Sequence, residues 1–273
     1  MRTFRSTVTT AAALAALAVP AAAGTLKCPA DSVKVGNVCI DKYEASVWDI
    51  PAANVALVKK VQSGKVTLAD LTGGGATQVS PSPSCSPAFP LTFPNTGNWT
   101  NPLYAVSVPG VLPSACVTWF QAEQACRLAG KRLVTNQEWQ ATAAGTPDPG
   151  NTPGALDCNT NSAGPSNVGS RTACVSKWGA FDMVGNVYEW VGDWGDAATN
   201  CTNWSGTFGG DISCVGGDGS FNLPGALVRG GVWFDGADAG VFAVNGGGGP
   251  SNALDDVGFR CARRVGGGVT WPI

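Results

Sequence analysis

The chain has 273 residues, with 17 basic and 19 acidic side chains for a formal charge of -2, and it carries ten cysteines but no histidine. That balance offers no electrostatic footprint for nucleic acid or an anionic membrane, and the lack of both histidine and any Cys-x-x-Cys pair excludes the usual zinc sites. The length suits one domain, and 37 glycines with 18 prolines predict a loop-rich one that stays below the disordered range.

Arg2 and Arg5 precede an apolar run from Ala11 to Val19, and Ala21, Ala22 and Ala23 supply small residues before Gly24. This pattern reads as a cleaved secretory signal over residues 1–23. The run is too short to span a bilayer, and no later segment is long enough either. The mature chain is therefore expected to be secreted, periplasmic or at the cell surface, with its cysteines in disulfides.

From Cys28 to Trp48, Val33 and Val35 alternate, then Val38 and Ile40, around Gly36-Asn37. This predicts a hairpin closed by Cys28 with Cys39. Residues 49–110 read as an irregular insertion, because Gly73 to Gly75 and the Pro81 to Pro94 run oppose helix and central strand. Two helices follow. Thr118 with Gln121 has capping-box spacing, Ala122, Ala125, Cys126 and Ala129 share a face, and Gly130 stops the helix. Thr135 with Glu138 repeats the device for a helix carrying Trp139 and Ala143. Residues 150–178 return to loop, with Cys158 paired to Cys174, and Cys201 with Cys214 bracket another glycine-rich loop. Strands are expected over Leu227–Trp233 and Val257–Arg263, joined by a Gly, Asn and Asp-rich stretch with few apolar anchors. No repeat of fixed period is visible, which argues against a propeller or solenoid.

Three stretches, GKRLVTNQEWQATAAG (130–145), GAFDMVGNVYEWVGDW (179–194) and LVRGGVW with VGFRCARR (227–264), together resemble the formylglycine-generating enzyme, or sulfatase-modifying-factor, domain. The resemblance implies an α+β, C-type-lectin-like fold over residues 24–264, with small antiparallel sheets, two flanking helices, disulfide-stapled loops and a tail at 265–273. In that family copper is held by two cysteines shortly after the RGG-x-W strand. Here no Cys lies between Cys214 and Cys261, so the soft ligands for Cu(I) are missing. A second branch binds iron through histidines, and this chain has none. No copper, iron or nucleotide is expected, and no catalytic residue is assigned. The resemblance also implies a structural calcium ion on Asp182 and Glu189 with the carbonyls of Gly185 and Val187; a buried ion pair at Glu189 is the alternative.

RGG-x-W, AGVFAVN (239–245), PSN (250–252) and VGFRCA (257–262) further resemble the variable region of proteins diversified by retroelements, whose altered residues occupy a ligand-binding surface of the lectin fold. The matching positions are Val232, Phe234, Asp235, Asp238, Gly247, Gly248, Leu254, Asp255 and Asp256. Each of these residues has a codon reachable from AAC by adenine substitution alone. A plain flexible loop is the competing reading, but it gives no reason for Phe234 among polar neighbours. Phe234 is the expected anchor, and Trp233 belongs to either anchor or core. Bridges of Cys126 with Cys261 and, by elimination, Cys85 with Cys116 complete the scaffold. The function expected is a monomeric binder of a protein or glycan, without nucleic-acid or membrane-inserting partners. The rivals are an enzyme of the same family with an unrecognised site and a self-associating structural surface protein.

Overall fold

The structure, a computed structural model, describes residues 27–89, 102–196, 209–217 and 223–265. The expected signal at 1–23, Cys201 and tail residues 266–273 lie outside the described residues.

The hairpin forms as its alternation predicts. Strands β1 (Ser32–Val35) and β2 (Val38–Asp41) pair antiparallel with Val35 opposite Val38. Gly36 turns the chain at φ +60°, a conformation glycine adopts without Cβ strain. The Cys28–Cys39 bridge closes it. Strand β12 (Cys261–Arg264) then pairs with β2, and β6 (Arg132–Leu133) with β12, giving the order β1-β2-β12-β6. Both ends of the described chain thus meet in one sheet.

The second sheet is built on β7 (Tyr188–Gly195), flanked by β11 (Val257–Phe259) and β9 (Gly225–Arg229). Beyond β9 lie β10 (Val244–Gly248) and β8 (Ser213–Cys214), for the order β11-β7-β9-β10-β8. A third sheet places β3 (Ser46–Asp49) between β4 (Thr77–Val79) and β5 (Leu103–Val106).

Helices α3 (Trp119–Leu128) and α4 (Asn136–Ala143) both begin with complete capping boxes. Thr118 accepts from Gln121 N while Gln121 accepts from Thr118 N at 2.8 Å, and Thr135 exchanges bonds with Glu138 in the same way. Because α3 turns Ala122, Ala125 and Cys126 inward, it sits close to the sheets and joins a core with Leu133, Trp190 and Phe259. The Cys126–Cys261 bridge ties that helix to β12 across 135 residues of sequence. Cys85–Cys116 and Cys158–Cys174 are also formed. Cys214 is disulfide-bonded too, and its expected partner Cys201 lies outside the described residues.

Three expectations need correction. Residues 49–110 are not uniformly irregular: α1 (Val55–Gln62) and α2 (Leu68–Gly73) form there. Asn54 caps α1, Thr67 and Asp70 make a capping box for α2, and Leu57, Val61 and Leu71 pack with Trp48, Tyr104 and Val106. The glycine run ends α2 rather than preventing it. Second, the strand expected over Leu227–Trp233 stops at Arg229, because Gly230 and Gly231 take φ +92° and +84°. Third, Val257–Arg263 is two strands in two sheets, broken at Arg260, whose side chain is wholly buried at the crossing.

Beneath the first sheet, Lys131 Nζ lies 2.9 Å from Asp31 and 2.7 Å from Asp41, and Arg263 pairs with Asp31 at 2.9 Å. Burial pushes Asp41 up to about 6 despite Lys131. At Asp31 the burial penalty is outweighed by Lys131 and Arg263, which hold the carboxyl below its ordinary value. A carboxyl whose folded pKa is raised binds a proton more tightly when folded. Its contribution to stability therefore grows as pH falls through about 6 and is complete below the unfolded value. On going from about pH 7.5 to about pH 5, the wild-type chain gains about 1 kcal/mol relative to Asp41→Asn. Paired denaturant titrations measure that difference.

Candidate ligand-binding face

The loop after β9 and the segment from β10 to β11 carry the positions expected to vary. Their main chain is held from outside. Trp233 N donates to Asn186 O at 3.1 Å, Ser162 N to Trp233 O at 2.7 Å, and Gly236 N to Thr160 O at 2.7 Å. Further along, Cys116 N donates to Leu254 O at 2.7 Å, Tyr188 N to Asp256 O at 2.9 Å, and Ser82 Oγ to Asp255 O at 2.6 Å. These bonds fix the path of the backbone without involving most of the local side chains.

Those side chains face outward. Phe234, Asp238, Gly247, Leu254 and Asp255 are exposed, and Asp235, Gly248 and Asp256 are half-buried. Phe234 is 55% exposed and Leu254 50%, high for large apolar side chains. Val232 is the exception and a correction: it is fully buried against Val187 and Trp233. The left-handed turn at Gly231 directs it inward, and its N–H is held by Asp235 Oδ2 at 3.0 Å. Trp233 is core, and its ring supports Phe234 edge-on with centroids 5.3 Å apart.

Four of the exposed or half-buried positions converge. Gly247, Gly248, Leu254 and Asp256 line a groove of about 310 Å³ together with Tyr188, Trp190, Ala226, Val228, Asn245, Asn252 and Val257. Phe234 and Asp238 are not among its lining residues. Asp235 joins it through Tyr188, whose hydroxyl donates to the Asp235 carboxylate. Burial pushes the Tyr188 hydroxyl well up, followed by the charge of Asp235, with Asp256 and Asp238 adding to it. Burial also raises Asp235 and Asp256; Asp238 adds to the first, Asp255 and Asp235 to the second. The sequence did not single out Tyr188, Asn245 or Asn252. Tyr188 stands in the sequence among Phe181, Trp190 and Trp194, and its place in the groove lining follows from the pairing of β11 with β7.

Of the residues expected to hold calcium, Asp182, Gly185 and Val187 lie in the turn before β7, where Asp182 takes φ +57° and Gly185 φ +71°, and Glu189 lies in β7 itself. Glu189 is engaged by Arg260 at 2.5 and 2.6 Å and by Trp139 Nε1 at 2.8 Å. Asp182 accepts from Gly169 N at 2.7 Å, and its other oxygen has no partner. With a guanidinium already against Glu189, this set does not fit a calcium ion as the side chains stand. The fit is to a buried ion pair. Glu44, which the sequence reading did not flag, joins the cluster by accepting from Asn186 Nδ2 at 2.5 Å and Val187 N at 3.3 Å.

Among the described residues no group of three or more His, Cys, Asp and Glu is arranged to hold a metal, and no cysteine is free. No helix among them is long and apolar enough to cross a membrane. Several disulfides in one chain are the chemistry of an oxidising, extracellular compartment.

The chain is 33% identical to the serine/threonine-protein kinase pkn1 of Chlamydia pneumoniae over 85 residues, which are 30% of this chain and 14% of the kinase. It is 35% identical to hercynine oxygenase of Mycolicibacterium smegmatis over 95 residues, 31% of this chain and 22% of the enzyme. The chain thus matches less than a quarter of each of these relatives. Among solved structures it is similar to the Major Tropism Determinant I1 variant, at TM-score 0.48 and 20% identity, covering 87% of this chain and 54% of that one. It is also similar to Treponema denticola variable protein 1, at TM-score 0.40 and 20% identity, with 83% and 84% covered. The sequence model of one family, the sulfatase-modifying factor enzyme 1-like domain, matches residues 25–265, and with nearly the whole chain matched, this protein belongs to that family.

Proposed function

We propose that this chain is an exported ligand-binding protein, acting as a monomer, whose outward face on the C-type-lectin-like scaffold has been diversified by a retroelement. The observation that supports it most is the separation of backbone from side chain along 234–256. From Trp233 to Asp256 the main chain is pinned by bonds with the backbone of Asn186, Thr160, Cys116 and Tyr188, while eight of the nine expected variable residues are exposed or half-buried. Such positions accept substitution because little of the core depends on them. Interleaved residues such as Trp233, Ala239 and Ala243 are buried. Binding faces of this kind work through a few aromatic or large apolar anchors among adaptable polar contacts, which suits Phe234 and Leu254 among the aspartates.

The copper chemistry of family oxidases has no footing in this sequence, since the window between Cys214 and Cys261 lacks thiols. Sequencing the DNA around the coding region tests the diversification directly. The expected result is a near-identical repeat differing only at adenines, chiefly in the codons of the named positions, with a reverse transcriptase gene beside it. Flanking DNA with neither would overturn that part of the proposal.

A further inference from the structure

The geometry points to a cationic segment of a partner polypeptide, one Lys or Arg side chain seated in the groove over Tyr188 and Trp190, as the ligand of this face. This inference rests on the reading of the face as a binding surface and names the chemistry of its occupant.

Three of the buried carboxylates elsewhere have a cation of the protein's own: Asp31 has Lys131 and Arg263, Asp41 has Lys131, and Glu189 has Arg260. The groove has none. Asp235 and Asp256 meet Tyr188 at one end of it, yet neither Lys nor Arg is among its lining residues. The charges that act on Asp235 and Asp256 are other carboxylates, Asp238 for the first and Asp255 with Asp235 for the second. Asp256 also keeps one buried oxygen without a hydrogen-bond partner. Burial and these neighbours both hold the two carboxyls above their ordinary values, so the negative charge at this end is incompletely compensated.

Beside the carboxylates the lining is mainly apolar, with Trp190, Ala226, Val228, Val257 and the exposed Leu254, and Asn245 and Asn252 add polar groups. A site with an acidic end and an apolar body matches a side chain with a charged head on a methylene stem, which is what Lys and Arg present. Tyr188 and Trp190 are the aromatic members of the lining, and aromatic rings attract cations. An anionic ligand would be repelled, and a neutral sugar could donate its hydroxyls to the carboxylates but would leave their charge uncompensated. The exposed Phe234 and Leu254 favour a polypeptide over a small amine, because a small amine would leave such anchors uncovered.

The test uses the mature chain and three labelled nonapeptides of equal length, one rich in Lys and Arg, one neutral, one rich in Glu, titrated by fluorescence anisotropy. The basic peptide is expected to bind, to weaken as salt is raised, and to lose at least about tenfold in affinity to Asp235→Asn/Asp256→Asn. Leu254→Ala should weaken it several-fold, and unfolding midpoints close to wild type would show that these variants fold. Equal binding of all three peptides, no binding of the basic one, or an unchanged affinity in the double Asn variant would overturn the assignment. Binding of the neutral or acidic peptide that Leu254→Ala abolishes would do so while leaving the face as a binding surface. Binding of every peptide regardless of Leu254→Ala would count against both.

Discussion

Replacing Cys126 and Cys261 together by Ser is expected to lower the unfolding free energy by about 5 kcal/mol. The bridge closes 135 residues of chain, and on the chain-entropy account the loss of so long a loop constraint costs about that much. For a domain of this size that is a fall in Tm of roughly 10–20 °C. The position matters as well as the length. Cys126 lies on the inner face of α3 and Cys261 opens β12, and both are fully buried in the core that also holds Trp190 and Phe259. The bridge therefore ties helix, first sheet and second sheet at one point. Differential scanning calorimetry of the double Ser variant beside wild type reads the effect. Loss of the Cys28–Cys39 bridge, with a sequence separation of 11, should matter less, because the shorter loop constrains the unfolded chain less.

Arg260→Ala is expected to cost about 3–5 kcal/mol, the range for removing one partner of a buried ion pair. Arg260 is wholly buried at the point where the chain passes from β11 to β12. Its guanidinium pairs with Glu189 and donates to Asp41 O at 3.1 Å and Phe181 O at 3.0 Å, so one side chain joins both sheets and the turn before β7. Without it Glu189 faces Glu44 and Asp182 with no cation between them. Burial raises both of those carboxyls, and repulsion from Glu189 raises them further. Arg260→Lys should lose less, since it keeps the charge but not the two-pronged fork. Adding calcium or EDTA should move the Tm of the wild-type chain little, because the cation facing Glu189 is already the guanidinium. A Tm rise of several degrees with calcium would show that the turn takes the ion after all.

Much of the scaffold was legible because it is written in local chemistry. Gly36-Asn37 between alternating valines forecasts the hairpin, and Thr118-Gln121 and Thr135-Glu138 forecast where α3 and α4 begin. The misses share a cause. Thr67-Asp70 has the same spacing as the other two boxes, and Leu57 and Val61 stand one helical turn apart, but the glycine run at 73–75 reads as a break although it only ends the helix. The alternation of Val257, Phe259 and Cys261 reads as one strand because period two does not record a change of partner. The chain changes sheets at Arg260, and only the tertiary pairing of β11 with β7 and β12 with β2 shows it. Val232 was misplaced for a related reason: a codon pattern carries no information about which way Gly231 turns the chain. The groove itself was invisible, since Tyr188 on β7 lies far in sequence from Asn245 on β10 and from Asn252 in the loop after it.

The claim on which the account depends is that the fold is insensitive to the side chains it displays. Its most direct test is the thermal unfolding of a chain carrying Phe234→Ala, Asp238→Ser, Leu254→Ser and Asp255→Ser at once, beside Val232→Asn as the buried control. The account predicts that the fourfold variant melts within about 2 °C of wild type, as exposed substitutions do, while the single change at Val232 lowers the midpoint by far more. A fourfold variant that melts roughly 10 °C or more below wild type, or fails to fold, would mean that these side chains hold the molecule together and are not free to serve a ligand.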